Sequence, residues 1–148
     1  MREARAVQIL TAVHIPGVGP AGIGVTTANA PANAVSRIFD QSFGSGEYLY
    51  LRAVLRALQL GKSLHIRNIS ILCPEDNVVR IVNREAPLEP GSPLVPIYMK
   101  IRALIHTFKM AEVRAVPRSR VKPARRLAVA ASRIPSQRPE PQRSLFAA

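Results

Sequence analysis

The stretch AVQILTAVHIPGVGPAGIGVTTA, residues 6–28, sets two apolar, partly β-branched runs around a Gly/Pro-dense centre. Two readings compete for it. GVGPAG at 17–22 is literally G-x-G-x-x-G after an apolar run, and Asp40 follows at a distance that suits a dinucleotide site. That fingerprint must open a helix whose N-terminus faces a pyrophosphate. Here Pro20 and the following IGVTT carry a turn straight into a second extended run, so no helix opens. The stretch reads as a glycine-rich hairpin, and the fold begins with antiparallel strands.

Working outward, the turn NAPAN precedes AVSRIFDQ (34–41), which alternates as a third strand. FGSGEYLYLRAVLRALQLG (43–61) has helical periodicity, with Ser45 as N-cap and Gly61 as C-cap. IRNISILC (66–73) is a fourth strand. PEDNVVRIVNRE (74–85) offers proline at a first helical position and two acids in its first turn, the signature of a short helix. After a proline-rich loop, LVPIYMKIRALIHTFKM keeps its apolar residues 94, 97, 98, 101, 104, 105 and 108 to a 3.6-residue period. AEVRAVP (111–117) is strand-like, and SRVKPARRLAVAASR (119–133) starts a basic, alanine-rich helix. Strands that follow the first helix need crossover connections, so the order predicts an α/β fold: a mixed sheet with helices packed on it. The expected domain covers residues 7–133, with a tail at 1–6 and a disordered Pro/Gln/Arg-rich tail at 134–148.

The 148 residues are 47% hydrophobic and 20% charged, enough for one domain with a core. Net charge is +12, and from Lys100 onward 12 basic residues face only Glu112 and Glu140. Such a field favours phosphate-rich partners, although an acidic protein surface or an anionic membrane answers it equally well. Cys73 is the sole cysteine, so no internal disulfide forms and a reducing, cytoplasmic setting is expected. MREAR, the apolar stretch after it and ANA at 28–30 imitate a signal peptide, but Gln8, His14, Pro16 and Pro20 interrupt the apolar run. No run approaches the roughly 18 apolar residues of a bilayer span. No membrane partner is expected.

Among single residues, Glu47 stands out. At about 100° per residue it shares a face with Leu51, Val54, Leu55 and Leu58, away from the Arg52, Arg56 and Gln59 stripe. An inward carboxylate requires a cation or hydrogen-bond donors, whereas a first-turn acid serves the helix dipole; geometry leaves both open. His14, His65 and His106 lack metal-ligand spacing, and no nucleophile motif surrounds Cys73, which reads as a small buried hydrophobe. Arg118, Arg120, Lys122, Arg125 and Arg126 cluster before and within the last helix, where phosphate contact competes with a merely solvated basic face.

Taken together, GPAGIGV, GEYLYLRAVLRALQLG, VVRIVN and VPRSRVKPARRLAVAA resemble ribonuclease H type 1, in its reverse-transcriptase-like branch, from about Val7 to Ser132. The resemblance implies a ribonuclease H-like mixed five-stranded sheet, three antiparallel strands followed by parallel crossovers. It also implies four carboxylates holding two Mg²⁺ ions that cleave the RNA strand of an RNA–DNA hybrid. Residue by residue, the first-strand aspartate falls on Thr11, the helix glutamate on Glu47, the third acid on Pro74 and the last on Arg125. A slip of one or two residues offers Glu75 or Asp76 instead of Pro74. Asparagines that the family carries near its site correspond to Gly17, Gly44 and Val121.

The resulting expectation is a catalytically defective ribonuclease H-like domain with no resident metal or cofactor. It would bind RNA or an RNA–DNA hybrid through Arg118, Arg120, Lys122, Arg125 and Arg126, with Glu47 a relic paired to Arg125. One alternative is a protein-interaction or structural module of a larger ribonucleoprotein. Another is a residual Mg²⁺-dependent hybrid nuclease using Glu47, Glu75 and Asp76.

Overall fold

Val7–His14 (β1) and Ala21–Thr27 (β2) form the hairpin, and their antiparallel register sets Thr11 opposite Val25 and His14 opposite Gly22. This computed structural model describes residues 6–29, 32–38 and 46–133. Asn33–Ile38 (β3) adds antiparallel to β2. Asn68–Cys73 (β4) then pairs parallel to β1, with Leu10 beside Leu72, and Met110–Ala115 (β5) pairs parallel to β4. The sheet order is β3-β2-β1-β4-β5, the mixed five-stranded arrangement expected. Its helices are Gly46–Ser63 (α1), Asp76–Val82 (α2), Val95–Ile105 (α3) and Lys122–Arg133 (α4), the last led by a 3₁₀ turn at Arg118–Val121.

Alternation along the strands divides the core between the two faces of the sheet. Ile9, Val13, Ile23, Val25, Ile69 and Ile71 join Leu51, Val54 and Leu58 of α1 on one face. Leu10, Ala12 and Leu72 meet Val121, Ala124 and Ala128 on the other. Gly22 and Gly24 let α4 approach so closely that a Cβ on either would overlap a backbone carbonyl, that of Ala128 or Ala124 respectively. This is a backbone-to-backbone docking that only glycine permits.

Helix ends differ from the sequence expectation. Gly61 is buried within α1, where a Cβ would come within 2.6 Å of Ile69 Cδ1. The C-cap lies further on: Ile66 N donates to Gly61 O and His65 N to Lys62 O, with His65 at φ 58°. That pair of bonds is a Schellman turn, with a histidine in the position that usually takes glycine. Arg84, at φ 63°, closes α2 in the same way. Helix α2 starts at Asp76 with Glu75 as N-cap, two residues later than a first-position Pro74 would set it. Asp40, Gly44, the cap at Ser45, the first five residues of the N-terminal tail and the 134–148 tail lie outside the described residues.

Candidate nucleic-acid interface

The 3₁₀ turn and α4 carry the basic cluster. Ala124, Ala128 and Ala131 are buried against the sheet, and at about 100° per residue Lys122, Arg125, Arg126 and Arg133 fall on the opposite side. All four are exposed, as are Arg118 and Arg120. Lys122, Arg125, Arg126, Val129, Ala130 and Arg133 line an open surface cleft of about 460 Å³. Because the buried side of α4 is alanine, much of the outward half of the helix is left to long cationic side chains, interrupted by Val129 and Ala130. Such a surface can take phosphate oxygens, and Arg can do so bidentately.

The positions on which the resemblance would place the family's carboxylates lie in different settings. Thr11 is fully buried, and its hydroxyl donates to Leu72 O at 2.9 Å. Pro74 follows β4 and has no side-chain donor atom. Glu47, half-buried at the start of α1, accepts a hydrogen bond from the Asn77 side-chain amide. The expected pairing of Glu47 with Arg125 is not formed: the carboxylate bonds to Asn77 at the head of α2, and Arg125 lies exposed on the outward side of α4. Glu47 needs no cation because it is only half-buried and has a neutral donor. Glu75 is half-buried and Asp76 exposed, and among the described residues no three His, Cys, Asp or Glu side chains are grouped to hold a metal.

Two ionisable side chains near this end of β1 and β4 are buried. Tyr50 of α1 is 5% exposed, and burial pushes its phenol up, opposed by a hydrogen bond with the Val13 backbone and by the Arg118 charge. Cys73 is fully buried, and desolvation pushes its thiol up to about 11, against hydrogen bonds with the Glu75 backbone and Thr11. Tyr50 on α1 and Cys73 at the end of β4 therefore carry side chains that resist ionisation. Sequence reasoning overlooked Tyr50. Its signal was an aromatic three residues after Glu47, one turn along the inward face.

The sheet order and four helices define a ribonuclease H-like fold. The reverse-transcriptase-like family matches residues 16–131, and the chain belongs to it. The N-terminal RNase H domain of Rv2228c from Mycobacterium tuberculosis is 22% identical with a TM-score of 0.67, covering 86% of this chain and 94% of that one. RNase H1 from Halobacterium salinarum is 17% identical with a TM-score of 0.75, covering 86% and 97%. LC11-RNase H1, solved in complex with an RNA/DNA hybrid, is 18% identical with a TM-score of 0.66, covering 85% and 96%. No curated protein sequence matches the chain.

Proposed function

We propose that this domain binds nucleic acid, RNA or an RNA–DNA hybrid, through the 3₁₀ turn and α4, and does not cleave it. The observation that carries the reading is the exposed cationic row of Arg118, Arg120, Lys122, Arg125 and Arg126, backed by a helix side of buried alanines. Five cations spaced along one surface suit a phosphate backbone, whose negative charges repeat at short intervals. A similar fold crystallised with an RNA/DNA hybrid, LC11-RNase H1, supports that class of ligand.

The donors do not fit the two magnesium ions that the family resemblance implies. Magnesium requires oxygen ligands in near-octahedral array, and a pair of ions requires shared carboxylates. Here one carboxylate is engaged by Asn77, one hydroxyl already donates to a carbonyl, and the other two positions are a proline and an exposed arginine. This donor set does not support two-metal hydrolysis.

Fluorescence anisotropy against hybrid, duplex RNA and duplex DNA at low salt tests the binding, with a cleavage assay in Mg²⁺ and Mn²⁺ on the same samples. Sub-micromolar affinity for the hybrid or RNA, weakening steeply with salt and without cleavage, is expected. Replacing Arg118, Arg120, Arg125 and Arg126 together by alanine should weaken binding about a hundredfold or more and flatten the salt slope. Affinity that is micromolar or weaker for all three ligands, or cleavage abolished by Glu47→Gln, would overturn the reading.

A further inference from the structure

Where β4 and β5 begin, at the opposite end of the sheet from Thr11 and Cys73, the chain carries a second basic surface. Lys62 and His65 from the end of α1, Ile66 and Arg67 before β4, and Thr107 and Lys109 before β5 line a cleft of about 730 Å³. That volume suits a small ligand. Four of the six lining residues are basic and none is acidic. Among the described residues no carboxylate pairs with any of the four.

Cations at helix C-termini are ordinarily explained by the helix dipole. That explanation is incomplete here. The carbonyls of both helix ends are already bonded, Gly61 O by Ile66 N, Lys62 O by His65 N, and Leu104 O by both the amide and the hydroxyl of Thr107. Arg67 and Lys109 moreover precede strands rather than end helices. Lys62 is held in place, with its ammonium 5.2 Å from the centroid of the Phe108 ring and 3.5 Å from Thr107 O. Like charges gathered without a counterion repel one another, and an anion in the cleft relieves that repulsion.

We infer that this cleft binds the phosphate groups of a small, multiply charged anion. Lys62 and Lys109 act as point charges and Arg67 as a planar fork that can take two phosphate oxygens, with the Lys62 ammonium already positioned by Phe108 and Thr107. Inorganic pyrophosphate and a nucleoside diphosphate share this chemistry. The site is separate from α4, so it stands or falls independently of nucleic-acid binding.

The test is an NMR titration of the ¹⁵N-labelled full chain with pyrophosphate and, in a second arm, with ADP. The amides of Ile66, Arg67 and Lys109 should shift first, saturably and at one ligand per chain. Arg67→Ala with Lys109→Ala, two exposed positions, should weaken binding tenfold or more, while Arg125→Ala with Arg126→Ala leaves it unchanged. Lys109→Glu alone should act in the same direction, giving a second variant should the first fold poorly. Tighter binding of ADP assigns a nucleotide, and equal binding assigns the bare phosphate chain. Shifts that never saturate, that spread equally over α4, or an affinity indifferent to both variants would overturn the inference.

Discussion

Helix α1 brings Leu51, Val54 and Leu58 to its side of the sheet, all fully buried, whereas the buried residues that α4 brings to the other are all alanine, with Leu127 half-buried beside Gly24. The first helix is held by apolar bulk, each buried leucine or valine worth about 1.5–3 kcal/mol. The second is held by proximity, its backbone resting on Gly22 and Gly24, so that dispersion between main chains replaces side-chain burial. The two solutions leave different surfaces behind. A helix docked through alanines needs little apolar shoulder, and most of its outward side carries charge. Under the binding proposed above, stability and recognition are separated in the molecule, α1 serving the one and α4 the other.

Gly22→Val attacks α4 where it has no slack. Its Cβ would overlap the Ala128 carbonyl, and the helix must lift. A loss of about 4 kcal/mol or more in urea unfolding is expected, at the high end for single substitutions. Leu58→Ala attacks α1 by opening a cavity, and about 3 kcal/mol is expected by the same measurement. Should Gly22→Val prove the milder change, the close-approach account of α4 fails. Alkaline titration probes the α1 side again. The Cys73 thiol ionises near 9.0 when unfolded and about 11 when folded, so its contribution is intact below 9 and is lost as pH rises through 11. Stability should fall by roughly 2–3 kcal/mol across that window, and Cys73→Ala should remove most of the slope, leaving the part due to Tyr50. Smallest of all, Arg125→Ala with Arg126→Ala should change stability by no more than about 0.5 kcal/mol, since both side chains are exposed.

The order of strands and helices was legible because each element carried its own period, and the hairpin at 6–28 ruled out a nucleotide fold through Pro20 and the extended IGVTT that follows it. Helix ends were harder to read. Gly61 looked like a cap because glycine commonly is one, but packing against Ile69 explains it, and the left-handed position fell to His65. Gly22 and Gly24 were read as part of a turn and a strand, yet their spacing of two, matched by alanines four apart at 124 and 128, was the trace of a helix–sheet contact. The Glu47–Arg125 pairing failed for a different reason. Sequence could align both positions to one family site, but it could not show that Asn77 would reach the carboxylate instead.

The two Schellman turns have one further consequence. Both left-handed positions are filled by side chains, His65 and Arg84, where glycine would sit without steric penalty. Each conformation costs on the order of 1 kcal/mol. The wild-type chain therefore lies below the stability its backbone allows, with two single-residue routes upward. His65 borders the cleft before β4 and Arg84 borders the pocket beneath the proline-rich loop, so each route would trade a basic group at a concave surface for a more robust fold.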